Sequence, residues 1–157
     1  MSASFYCDTS ALVKLYHQEV GTERMEELFR QEENVLVISE LAVVEFYSTL
    51  ARKVRVGEIT PEAQEEAHRN FEADCTQRFV VDPLGSSVIQ KAKELLQKHG
   101  NTKALRTLDA LHLGACLSAL PHETPVFVSA DTRQLDIGTL EGLQVLNPEF
   151  PVDKPAE

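Results

Sequence analysis

Four acidic side chains stand where a fold could gather carboxylates. Asp8 follows the apolar run Phe5-Tyr6-Cys7 and precedes Thr9-Ser10, after which Leu12, Val13, Leu15 and Tyr16 resume an apolar pattern. That reads as a strand becoming a helix with almost no loop, and it puts Asp8 at the carboxyl end of the strand, where open α/β sheets hold their ligands. Asp131 comes after a second apolar run, Pro125-Val126-Phe127-Val128, and Ser129-Ala130. It therefore points from the same sheet edge. Asp109 lies within Leu105-Arg106-Thr107-Leu108-Asp109-Ala110-Leu111-His112-Leu113, a helix apolar nearly all round. If Thr107 caps it, Asp109 falls in the first turn, where the macrodipole favours an anion. Glu45 lies in a fourth stretch, Val44-Glu45-Phe46. Brought together, such oxygens suit a hard cation, Mg²⁺ or Mn²⁺. Two carboxylates about 4 Å apart repel by roughly 4 kcal/mol at an effective dielectric of about 20, so converging acids need cations or protons.

Each acid also has a plainer reading. Asp8 and Asp131 serve equally as helix caps. Asp109 can pair with Arg106 or a backbone donor. At about 100° per residue, Val43, Phe46, Tyr47, Leu50 and Val54 share one side of their helix, and Glu45, Ser48, Thr49 and Arg52 the other, so Glu45 can be a surface residue.

The elements that must position these acids follow from the same patterns. A first helix is expected from about Thr9 to His17 and a second through Met25, Leu28 and Phe29 after Gly21. Val35–Ile38 is a buried strand. Ser39 then caps a helix from Glu40 to about Val56, closed by Gly57. Thr60-Pro61-Glu62 starts a helix whose Ala63, Ala67, Phe71 and Cys75 form a narrow buried stripe. Phe79–Val81 is a strand stopped by Asp82-Pro83. A helix through Val88, Ala92 and Leu95 ends at His99-Gly100, and another runs from Thr107 or slightly earlier to about Leu120. A short helix or turn spans Asp131–Leu135, and Leu143–Leu146 is the last strand. Strands alternating with helices give a parallel sheet in a single three-layer α/β domain. The domain is expected over residues 1–148, with 149–157 as a Pro-rich flexible tail.

Composition narrows the function. The chain has 157 residues, 43% apolar, and a net charge of −10. It is globular, long enough for a real core, and without an apolar run that could span a membrane. Such acidity argues against coating nucleic acid by bulk charge, but not against an enzyme whose acidic site is filled by a metal. Cys7, Cys75 and Cys116 are isolated in apolar surroundings and read as core residues in a reducing compartment. Residues 1–5 show no signal peptide, so the expected location is the cytoplasm.

Cys7–Tyr16, Val44-Glu45-Phe46 with Leu50–Lys53, Leu105–Leu113 and Val128–Asp131 resemble, in order and spacing, the four acidic motifs of PIN-domain ribonucleases. The likeness is greatest to the VapC toxins of bacterial and archaeal toxin–antitoxin pairs and covers nearly the whole chain. The resemblance implies that Asp8, Glu45, Asp109 and Asp131 hold Mg²⁺ or Mn²⁺, that Asp8 and Asp109 are central ligands, and that Ser10 and Ser129 support the cluster. It also implies a PIN-like five-stranded sheet of order 3-2-1-4-5, a homodimer, RNA as substrate, and a cognate antitoxin that blocks the site. The chemistry would be hydrolysis of an RNA phosphodiester by an activated water. Lys14, Arg52, Arg106 and Arg133, with Lys53 and Arg55, are the cations nearest the motifs and candidate RNA contacts, with ordinary Glu–Arg pairing as the alternative for Lys53 and Arg55.

Three rivals remain. Asp82 could be the phosphoacceptor of a receiver-type module, although Asp8 lacks a paired acid and Leu146 is followed by Asn147-Pro148. A zinc site on Asp109, His112 and Cys116, which share a helical stripe, competes with their being core residues. A PIN-fold binding protein without catalysis keeps the fold and drops the chemistry.

Overall fold

The computed structural model describes residues 3–119 and 125–150. Leu120 and residues 151–157, the bulk of the expected tail, lie outside them. Strands β1 (Ser4–Cys7), β2 (Val35–Ser39), β3 (Phe79–Asp82), β4 (Val126–Val128) and β5 (Val145–Leu146) pair in parallel as β3-β2-β1-β4-β5. This is the expected order. Helices α1 (Thr9–Leu12), α2 (Thr22–Arg30), α3 (Glu40–Arg55), α4 (Pro61–Gln77), α5 (Ser86–His99), α6 (Thr107–Ser118) and α7 (Thr132–Leu140) alternate with the strands. No helix among the described residues is long and apolar enough to cross a membrane.

Apart from Ser4 and Ser39 at their ends, the central strands β1, β2 and β4 are apolar because both sheet faces are covered. Phe5, Cys7, Leu36, Ile38 and Val128 enter one core with residues of α1 to α4. Tyr6, Val37 and Phe127, the alternate positions, enter a second core with residues of α5 to α7. The first centres on aromatic rings: Phe46 lies 4.0 Å from Phe71 and 5.2 Å from Tyr16, centroid to centroid. Cys7 and Cys116 are buried in these cores and Cys75 is partly so, all as free thiols.

Helix starts obey local chemistry. Ser39 Oγ accepts from Leu41 N at 3.1 Å and Thr60 Oγ1 from Ala63 N at 3.1 Å, with Pro61 in the first turn. Gly57, at φ +76°, follows the end of α3. Three expectations need correction. The first helix stops at Leu12 and tightens into a 3₁₀ turn over Val13–Leu15, where Tyr16 N bonds Val13 O three residues back at 3.0 Å, and Thr22 Oγ1 donates to Lys14 O at 2.8 Å within that turn. Arg106 rather than Thr107 occupies the cap position of α6. On the α4 stripe only Ala67 and Phe71 are fully buried.

The pair α5 and α6 touches so closely that a Cβ on Gly114 would sit 3.0 Å from Ala92 N and 3.1 Å from Val88 O. Those are backbone atoms and cannot swing aside. Helix propensity favours alanine by about 1 kcal/mol, while overpacking costs about 1–3 kcal/mol. Gly114→Ala is therefore expected to lower stability by about 1 kcal/mol, read as an earlier urea midpoint at unchanged slope; a later midpoint would contradict the close approach.

Candidate active site

Parallel pairing fixes where the site can be. Cys7 stands opposite Ile38 and Val128, so the chain leaves the sheet together at Asp8, Ser39 and Ser129. From β1 the order runs one way through β2 and the other through β4, which opens a crevice at this edge. A cavity of about 680 Å³ lies there, and Asp8, Glu45, Asp109 and Asp131 all line it. The polar side of α3 forms one wall, with Glu45, Thr49 and Arg52 facing in.

Asp8 is the deepest, 4% exposed. Its Oδ1 accepts from Ser10 Oγ at 2.6 Å and, as the cap of α1, from Ala11 N at 3.0 Å; its Oδ2 accepts from Ser129 Oγ at 2.6 Å. Ser10 and Ser129 in turn accept from Ala130 N and Asp131 N, both at 3.0 Å. The two hydroxyls thus lace Asp8 to the loop after β4. Among the described residues no Lys or Arg ion-pairs with Asp8 or Asp109. Burial pushes the Asp8 carboxyl above its ordinary range, against the opposing pull of His112, Ser10, Ser129 and the Ala11 amide.

The other acids are each held by one oxygen. Glu45 Oε1 accepts from Thr9 Oγ1 at 2.8 Å and from His112 Nε2. Burial of Glu45 raises its carboxyl, but the hydrogen bond and charge of His112, with Thr9, outweigh it and hold the group below the usual range. Asp109 Oδ2 accepts from Arg106 N at 3.2 Å, the reciprocal half of a capping box. Asp131 Oδ1 accepts from Arg133 N at 3.0 Å and Gln134 N at 3.4 Å. Glu45 Oε2, Asp109 Oδ1 and Asp131 Oδ2 take no hydrogen bond among the described residues. Carboxylates with one oxygen anchored and one open are the donors a hard divalent cation uses. By donor chemistry and shared cavity these residues fit Mg²⁺ or Mn²⁺. Among the described residues no three acid, His or Cys side chains stand together in the geometry of a metal cage.

A PIN-domain family model matches residues 5–140. The chain belongs to the PIN domain family. This PIN domain is similar in fold to VapBC2 from Rickettsia felis bound to a promoter DNA fragment, at 15% identity and a TM-score of 0.63, covering 92% of this chain and 98% of that one. It is similar to FitAcB from Neisseria gonorrhoeae at 14% identity and a TM-score of 0.64, covering 92% and 97%. It also resembles the sarcin–ricin loop cleaving toxin VapC20 from Mycobacterium tuberculosis at 17% identity and a TM-score of 0.55, covering 72% and 81%. At these identities the fold is what is shared. No curated protein matches the sequence.

The cations of the PIN domain divide. Arg52 and Arg106 line the cavity and are exposed. Lys14 also lines it, but is buried, its ammonium 3.0 Å from Glu19 and 2.9 Å from Glu149. Lys53 is buried and 3.0 Å from Glu58. Arg133 lies outside the lining, 3.8 Å from Asp131. Glu149, assigned to the tail, is thus tied to the domain.

Sequence reasoning named His112 only for a zinc stripe or the core and gave Thr9 no role in the site. His112 and Thr9 line the cavity and hold Glu45. His112 sits one helical turn beyond Asp109 on the same face of α6, and that spacing was the available signal. The zinc stripe divides, because Cys116 lies in the core of the α5–α7 face. Asp82 ends β3, accepts from Tyr6 at 2.9 Å and does not line the cavity.

Asp8 gives a pH prediction. A carboxyl whose pKa is raised by folding contributes stability that is present below its ordinary value, about 3.9, and is lost as pH rises through the raised value. Glu45, lowered by folding, works in the opposite sense, losing its contribution as pH falls. Wild type and Asp8→Asn share Glu45, so their difference isolates Asp8. In EDTA the wild type is expected to lose stability relative to Asp8→Asn as pH rises from about 4 to about 8. Urea midpoints across that range check it, and a constant difference would contradict it.

Proposed function

We propose that this PIN domain is a metal-dependent endoribonuclease, hydrolysing RNA phosphodiester bonds with Mg²⁺ or Mn²⁺, and that it acts as a homodimeric toxin of a VapBC-type toxin–antitoxin pair. The observation that carries the reading is the meeting of four acids from remote motifs in one cavity, the deepest of them buried with no Lys or Arg ion-paired to it among the described residues. Asp8 and Asp109 would hold the ion centrally, and Glu45 and Asp131 would complete its shell. When bound, the ion supplies an activated water and stabilises the leaving oxygen.

The chain's own residues do the rest. Ser10 and Ser129 fix the plane of the Asp8 carboxylate by donating to its two oxygens. Arg52 and Arg106 stand at the rim as phosphate contacts. With a net charge of −10, these local cations must outweigh the repulsion of RNA by the rest of the surface. The likeness to VapBC2 and FitAcB supports an antitoxin as partner, and that to VapC20 supports RNA as the substrate class.

Purified protein incubated with mixed RNA is expected to cut it internally with Mn²⁺ or Mg²⁺ and to stop in EDTA. Intact RNA under both conditions, with an antitoxin still bound, would instead give a PIN-fold binding protein.

A further inference from the structure

We infer that His112 is a positioning residue: its Nε2–H, with the Thr9 hydroxyl, holds Glu45 Oε1 so that Oε2 is presented to the cavity as a cation ligand. The inference rests on the proposed cation site and deepens it. His112 is 4% exposed, and its Nδ1 is buried with no hydrogen-bond partner. A histidine placed only to fill a core would satisfy that nitrogen or be replaced by an apolar side chain. Here Nε2 alone is engaged. It bonds Glu45 Oε1 and lies 3.5 Å from Thr9 Oγ1, which bonds the same oxygen at 2.8 Å. An ionised carboxylate only accepts, so Nε2 carries the proton of that bond.

The architecture shows why such a clamp is needed. Asp8 and Asp131 leave paired strands of one sheet, and Asp109 is pinned by the backbone of its own first turn. Glu45 stands instead in the second turn of α3, on a longer side chain with three rotatable bonds, facing the cavity across from α6. Nothing in its own helix bonds its carboxylate among the described residues. Thr9 from α1 and His112 from α6 supply the constraint from outside. Helix α6 thereby sets two of the four acids, Asp109 directly and Glu45 through the side chain one turn on.

Mn²⁺ binding by the RNA-free protein, followed by electron paramagnetic resonance, tests this. His112→Leu keeps bulk without a donor, whereas His112→Gln places an amide N–H within reach of Glu45. His112→Leu is expected to weaken Mn²⁺ about 10–100-fold, the usual effect of losing an outer hydrogen bond to a ligand, and His112→Gln to restore most of it. In a Glu45→Gln background, His112→Leu should weaken Mn²⁺ no further. Equal binding by His112→Leu and wild type, or an undiminished effect of His112→Leu in the Glu45→Gln background, overturns the positioning role while leaving the cation site intact. Absence of Mn²⁺ binding by the wild type overturns the cation-site reading itself, and wild-type binding unaffected by Glu45→Gln removes Glu45 as a ligand and with it the positioning role of His112. Melting in EDTA confirms that the variants compared are folded.

Discussion

Asp8→Asn is expected to lower RNA cleavage by on the order of 10³-fold or more, about 4 kcal/mol of transition-state stabilisation, with little change in the stability of the metal-free protein. The substitution removes a negative charge from the most buried of the four acids, which on the proposed reading is a central ligand of the divalent cation. Stability changes little because two effects oppose each other. Asn retains an acceptor for Ala11 N and Ser10, but places an amide N–H₂ where Asp8 Oδ2 accepts from Ser129. Ser129 can rotate its hydroxyl to accept, at a loss of about 1 kcal/mol in hydrogen bonding. Against this, an ionised carboxylate no longer sits in surroundings that raise its pKa. Single-turnover cleavage in Mn²⁺ and urea unfolding in EDTA measure the two parts. A drop of several kcal/mol in EDTA would make Asp8 a structural hub first, and undiminished cleavage would remove it from the chemistry.

Phe46→Ala is the counterpart in the scaffold, expected to cost about 3–5 kcal/mol of stability. Its ring is fully buried and packs on Phe71, Tyr16 and Tyr47. The removed ring leaves a void walled by aromatic planes and a sheet, which cannot collapse around it. Phe46 and Glu45 are neighbours on α3 that face opposite ways, one into the core and one into the cavity. Loosening the first therefore lowers cleavage as well as stability. Urea unfolding reads the stability, and a loss under about 1 kcal/mol would mean α3 is held elsewhere.

The sheet was legible because its strands are short, continuous apolar runs whose alternate residues enter two cores, Phe5 and Cys7 on one face and Tyr6 on the other. Asp8 and Asp131 were legible for the same reason, as the first polar groups beyond paired strand ends. Glu45 was ambiguous because periodicity separates the two sides of α3 without saying that the polar side walls a cavity. The cap and site readings of Asp8 proved compatible, since one oxygen pair serves both Ala11 N and the serines. What the chain order concealed were bonds between remote segments. Thr22 bonds Lys14 O in the turn after the first helix, Glu19 and Glu149 neutralise Lys14, and Glu45 turns His112 from an apparent core residue into a wall of the site. Apart from the spacing of His112 from Asp109 on α6, such contacts depend on side chains that leave no periodic trace.

The convergence of the four acids on one cation is tested most directly by anomalous diffraction from crystals soaked in Mn²⁺. The expected result is density within the cavity between Asp8, Glu45, Asp109 and Asp131, lost in Asp8→Asn. Manganese bound only elsewhere on the molecule, alongside RNA cleavage that persists in EDTA, would contradict it.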